Sequence, residues 1–277
     1  MIKIVIPRDL PDEIIVWKAR AEEITAEIIE AVTLEDKKRL ITRYKNHWRN
    51  EDLVNWLSSL SDDKCWYTEA KFGGDNQEIE HFRPKGQVKD KDGNVHDDHD
   101  GYNWLAFDLD NYRLCKGRPN RRKSTFFPII DERNRAISEE YDWRDETPLF
   151  LDPIEDEDPL FITFDENGIP APEDELEDQD QRRVEFTIDK YFLDDTVLNR
   201  RRALTWSTCR ELYYSYQHKM HEAKNAPNDR VRLRTEAKKD LETLKSLLMS
   251  DKEFSKVARC SIEKIGDRFA RNLVSSI

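Results

Sequence analysis

Four cysteines in 277 residues, at Cys65, Cys115, Cys209 and Cys260, are too few and too widely spaced for a disulfide framework, so a reducing compartment is expected. No apolar run approaches the ~20 residues that a membrane span needs. The opening MIKIVIPRDLPDEIIVW meets proline and charge before a leader-like apolar stretch can form. A cytoplasmic protein with no membrane role is expected. No internal repeat is visible, which gives no support to a solenoid or a propeller. The seven Trp and twelve Phe supply enough large apolar surface to exclude wholesale disorder.

Charge is missing locally rather than globally. Residues 151–180 contain 13 acids and no Lys or Arg, while outside them 45 acids face 46 bases. One segment therefore supplies the net charge of −12, and the remainder is near neutral. Such a run reads first as a solvated linker; the alternative is a partner-facing segment that shields a basic site. Asp110–Ser124, DNYRLCKGRPNRRKS, has the opposite bias, with no acid after its first residue.

Residues 12–60 read as helical. Ile14, Trp17, Ile24 and Ile28 recur at spacings of three, four and seven, and Asn50 stands as an N-cap before EDLVNWLSSL. Residues 62–130 change to aromatics, glycine and short apolar pieces, which suggests hairpins and loops. Residues 131–180 are rich in proline and acid, with two short strands expected around PLFL and LFITF and a turn at DENG. Helical periodicity returns from Gln181, with Leu204, Leu212, Tyr216 and Met220 on one face and Leu241, Leu244 and Leu248 forming another stripe. The fold class is then α+β, mainly helical. Its regions are 1–62 (helical), 63–130 (hairpin and short helix), 131–180 (acidic connection) and 181–277 (helical).

Hydrolysis of a phosphodiester needs a base for water, a cation against the charge that develops, and groups that hold the backbone in line. Glu80–His81 sets a carboxylate beside an imidazole. Asn111 opens a short strand, YRLC, which turns at Gly117 into a helix, PNRRKSTF, with Pro119 at its start and Pro128 beyond its end. Packing that helix across a hairpin of EIEHF and YRLC would bring Asn120 back over Glu80. Neighbours in a regular strand face opposite ways, so both Glu80 and His81 reach one ion only if the strand ends or bulges there, as Pro84 favours. Arg83, Lys85, Arg118, Arg121, Arg122 and Lys123 suit phosphate contacts better than base reading.

The pattern EHFRPK followed by DNYRL…N..K resembles the HNH endonuclease family, whose ββα-metal motif occupies a hairpin and one helix. The wider text CWYTE…IEHFRPK…GYNWLAFDLDNYRL…FFP, with PLFLDPIEDEDPLFITFDENGIP and TIDKYFLDDTVLNRRR, resembles the HNH subunits of Septu-type and retron-associated antiphage systems, which work with an SMC-like ATPase. The resemblance covers about 63–202. It implies a metal-dependent nuclease in which His81 is the general base, Glu80 and Asn120 hold Mg²⁺ or Mn²⁺, and Asn111 fixes the loop that positions His81. It further implies a DNA or RNA substrate and an ATPase partner.

Many members of that family carry two CxxC pairs. Here Thr68 follows Cys65, and Lys116 and Pro119 follow Cys115, so no structural zinc is expected. The degenerate cysteines support a rival, an inactive HNH-like adaptor that only binds. HDDHD at His96–Asp100 reads as a solvated loop, and His218 and His221 as surface residues. Arg200–Arg202 could meet nucleic acid or an acidic partner.

Overall fold

A computed structural model describes residues 1–277. The N-terminal region folds into α1 (Asp12–Glu30), α2 (Leu34–Arg43), α3 (Lys45–Trp48) and α4 (Glu51–Ser59). The buried stripe of α1 is Ile14, Trp17, Ala21, Ile24 and Ile28, the three-and-four spacing that places side chains on one helical face. Thr33 caps α2 by accepting from Asp36 N, and Asn50 caps α4 by accepting from Leu53 N at 3.2 Å.

Next come β1 (Gln77–His81), β2 (Tyr112–Lys116) and α5 (Gly117–Lys123). The strands pair antiparallel with Ile79 opposite Leu114 and His81 opposite Tyr112. Trp66 N donates to Leu114 O on the far side of β2, and no strand pairs with the other edge of β1. A second small hairpin joins β3 (Ile162–Phe164) to β4 (Pro170–Pro172). Its turn is closed where Gly168 N donates to Asp165 O, as DENG suggests. The chain finishes with α6 (Asp178–Lys190), α7 (Thr196–Asn225), α8 (Arg230–Leu248), α9 (Ser255–Glu263) and α10 (Arg268–Ser275). The molecule is thus mainly helical with two small antiparallel hairpins, and no helix is long and apolar enough to cross a membrane.

One apolar core runs from Met1 to Leu193 and contains 36 buried residues, so the N-terminal helices, the first hairpin and the acidic segment share an interior. That segment is therefore not a solvated linker. Leu151, Ile162 and Phe164 are buried. Asp152 accepts from Arg113 Nε and Nη2 at 2.6 and 2.5 Å, and Asp158 accepts from Arg183 Nη2 at 2.7 Å. Acids that look solvated by composition are anchored because their partners lie on distant elements, one on β2 and one on α6.

Other details also depart from expectation. PLFL forms no strand; Pro148 makes only an isolated bridge to Ile129. The buried face of α7 is Arg202, Trp206, Cys209 and Tyr213, whereas Leu204 is 68% exposed, because α8 and α9 pack against the other side. His99 is buried, with its Nε2 donating to Ala136 O and its Nδ1 accepting from Gly101 N, so HDDHD is partly core rather than wholly solvated.

Candidate functional site

His81 is the last residue of β1 and is buried. Its Nε2 lies 3.0 Å from Ala106 O, a pure acceptor, so Nε2 must carry the ring proton and a neutral ring keeps its lone pair on Nδ1. Tyr112 Oη donates to the same carbonyl at 2.9 Å, and the rings of Trp48 and Tyr112 meet the imidazole edge-on at 5.1 and 5.2 Å. Burial, with the nearby Lys85 charge, holds the His81 pKa well below its ordinary value, which favours the neutral ring. The imidazole is held in one tautomer, and its basic nitrogen, Nδ1, faces Lys85 Nζ at 3.4 Å.

The loop after β1 is fixed by Asn111. Its Oδ1 accepts from Arg83 N at 2.7 Å, and its Nδ2 donates to Arg83 O at 2.9 Å and Leu105 O at 3.1 Å. Farther along, Tyr102 N donates to Pro84 O at 2.8 Å. Gly101, at φ 84°, packs so close that a Cβ would fall 1.5 Å from Gly86 O, so only glycine fits. This bracing lets the chain leave the strand directly after His81, and Glu80 and His81 both line a cavity of about 300 Å³ shared with Lys85, Asn120, Ser124 and Thr125. The strand ends where the two side chains need it to.

The helix registers differently from the sequence expectation. Asn120 and Lys123, three apart on α5, face Glu78 and Glu80, two apart on β1. Asn120 Nδ2 donates to Glu78 Oε2 at 2.8 Å, so Asn120 does not lie over Glu80. Lys123 does: its Nζ is 2.5 Å from Glu80 Oε1 and donates to the carbonyls of His81 and Phe82 at 2.8 Å. The helix also starts earlier than PNRRKSTF and stops sooner, at Lys123, because Ser124 takes φ 51° and ψ −128°.

Lys123 is fully buried, so it has no surface for a phosphate. Arg83 is likewise engaged: its Nε donates to Glu146 Oε2 at 2.7 Å and its Nη2 to Trp143 O at 3.0 Å, with the guanidinium stacked 4.3 Å from the Trp143 ring. Both had been expected at phosphates, and both instead tie the hairpin to its surroundings. Lys85 is half-buried and lines the cavity, whereas Arg118, Arg121 and Arg122 are exposed, the first two on a separate pocket with Phe192, where Arg118 pairs with Asp195 at 2.7 Å and Arg121 with Glu78 at 3.5 Å. Burial raises the Glu80 pKa and lowers that of Lys123, each shift opposed by the partner's charge.

For a hard divalent ion the available donors are oxygens: Glu80 Oε2, which takes no hydrogen bond, and Asn120 Oδ1, left free because the amide donates through nitrogen. Both residues line the same cavity, and no group of three or more His, Cys, Asp or Glu side chains gathers there, so an ion held by these two would keep most of its water. Cys65 and Cys115 face each other at 3.9 Å between sulfurs, buried and free. His218 and His221 lie on the exposed part of α7.

Sequence reasoning did not find Ala106, whose role belongs to a backbone carbonyl and leaves no signal in residue identity. It also missed Trp48 and Arg49, which come from the α3 end and form a wall of a neighbouring cavity of about 580 Å³ with His81, Lys85 and Asn120.

No family model matches the chain. Over 124 residues it is 34% identical to the Septu protein PtuB of Bacillus mycoides (strain KBAB4), a match covering 44% of this chain and 41% of that protein. The aligned part thus spans about two fifths of the length of the curated relative, and this similarity relates the chain to Septu proteins.

Proposed function

We propose that this protein is a metal-dependent endonuclease of the HNH kind, acting on DNA or RNA as the effector of an antiphage defence complex with an SMC-like ATPase. The similarity to a Septu protein supports the defence setting. The observation that carries the chemistry is His81: a neutral imidazole, its Nε2 proton tied to Ala106 O, with an unprotonated Nδ1 at the cavity shared with Glu80 and Asn120, where only the Lys85 ammonium, 3.4 Å away, must swing aside for water. Nδ1 accepts the proton of the attacking water, and the fixed ring supplies direction without reorganisation. Glu80 Oε2 and Asn120 Oδ1 would hold Mg²⁺ or Mn²⁺, which when bound neutralises charge on phosphate and leaving oxygen. Asn111 keeps the loop, and with it His81, in register.

The test compares wild type with His81→Ala and His81→Gln, alone and with the ATPase partner, on plasmid DNA and total RNA in Mg²⁺ or Mn²⁺. Cleavage by wild type that vanishes in both variants and with chelator is expected. A second reading has its own observation: Lys123 already holds one oxygen of Glu80, as in a scaffold that keeps the fold without the ion. Salt-sensitive binding with no cleavage under any of these conditions would select that adaptor.

A further inference from the structure

The basic patch on α5 is the obvious grip for a phosphate backbone, yet its charges are largely met from within. Lys116 pairs with Asp75 at 2.7 Å, Arg118 with Asp195 at 2.7 Å, Arg121 with Glu78 at 3.5 Å and Lys123 with Glu80 at 2.5 Å. Arg122 is exposed and has no carboxylate partner, but it stacks on the Phe192 ring at 5.1 Å, as Arg118 does at 4.1 Å, away from the cavity of His81. A phosphate approaching this face must compete with carboxylates already in place, and each such exchange returns little net energy.

The opposite wall is different. Arg49, at the C-terminal end of α3, is exposed and has no carboxylate within ion-pair distance. It lines the same cavity as His81, Lys85 and Asn120, against a floor that includes Trp48 and Ile79. Lys85 lies over the Trp48 ring at 5.2 Å and places its Nζ 3.4 Å from His81 Nδ1. Its pKa is lowered, by burial first, with Glu80 opposing and the charges of Lys123 and Arg49 adding to the fall. Two cations thus share one mouth, and the carboxylate in its lining, Glu78, is engaged on the other side by Asn120 Nδ2 at 2.8 Å and Arg121 at 3.5 Å rather than by Arg49. Like charges held together repel, and an anion placed between them removes that repulsion while gaining two charge-assisted contacts.

We infer that the backbone phosphate next to the cleaved bond is gripped by Arg49 and Lys85 from the α3 wall, rather than by the arginines of α5. The inference rests on the phosphodiesterase reading and makes Arg49, from the N-terminal helices, part of the substrate site. The nucleic-acid strand then runs through the cavity that Arg49, Lys85, His81 and Asn120 line together.

The experiment reads binding apart from cleavage. In a His81→Gln background, affinity for a fluorescent 20-mer of the cleaved nucleic acid, or of DNA duplex if none is cleaved, is followed against KCl concentration. The added substitutions are Arg49→Ala, Arg49→Lys and Arg118→Ala. Arg49→Ala is expected to weaken binding about tenfold and to flatten the dependence of log affinity on log salt by about one charge. Arg49→Lys should restore the slope, which a packing role would not do, and Arg118→Ala should change it less than Arg49→Ala. Because Arg49 is exposed, thermal melting should be unaltered, so weakened binding reports contact and not misfolding. An unchanged slope in Arg49→Ala, or a larger loss in Arg118→Ala, overturns the inference. Parallel assays with His81 intact keep the two claims apart. Cleavage by wild type and Arg49→Ala at equal rates sinks the inference alone, binding without cleavage sinks the nuclease alone, and no binding sinks both.

Discussion

Lys123 and Glu80 form a buried pair in which each charge is tolerable only because of the other. Removing one partner strands the second in the interior, and such a loss typically costs about 3–5 kcal/mol, whereas replacing both by neutral groups is far milder. Lys123→Met is therefore expected to lower unfolding stability by about 3 kcal/mol or more. The double variant Glu80→Gln/Lys123→Met should recover the part of that loss due to the stranded carboxylate, though not the bonds from Lys123 to the His81 and Phe82 carbonyls, as read from urea unfolding. Equal destabilisation in the single and double variants would mean that the pair is not coupled as its 2.5 Å separation indicates. A lysine in a basic run reads as solvent-facing, and only the packing of α5 on β1 turns this one inward.

At the scale of elements, α5 is short because Ser124 lies at φ 51° and ψ −128°, a region that side chains rarely enter. Such a position costs on the order of 1–3 kcal/mol, partly offset on substitution by the greater freedom of glycine in the unfolded chain. Ser124→Gly is expected to stabilise the protein by about 1 kcal/mol, seen as a raised melting temperature. A fall would show that the serine hydroxyl is worth more than the strain. The hairpin was legible in the sequence, since EIEHF and YRLC pair in the structure and Asn111 braces the loop. The helix register was not: Asn120 bonds Glu78, one alternate position back along β1, because how a helix lies across a strand depends on packing and not on spacing.

Across the whole molecule, three of the six histidines, His47, His81 and His99, have pKa values pushed down first of all by burial. The unfolded chain binds protons on these rings near pH 6.5, where the native chain does not. Their contribution is therefore complete above pH 6.5 and lost as pH falls through the lowered native values. Each fully shifted ring contributes up to about 1.4 kcal/mol per pH unit. Urea midpoints measured in chelator should fall between pH 7.5 and 5.5; a constant or rising midpoint would contradict native rings that stay neutral. The raised carboxyls of Glu80 and Asp158 act in the opposite sense, but nearer to their own ordinary range of about 4.

Sequence alone determined what depends on neighbours along the chain: the helical periodicities, the Asn50 cap, the DENG turn and the pairing of EIEHF with YRLC. These follow from local backbone preference and from the alternation of side chains. Tertiary structure decided what depends on distant partners. It put Asp152 and Asp158 on Arg113 and Arg183, so an acidic run became part of the core. It fixed the His81 tautomer through a carbonyl, and it brought Arg49 to the mouth of the cavity beside His81. Ion pairing and burial act through space, and the same residue types serve solvent, substrate or core according to what the fold sets beside them.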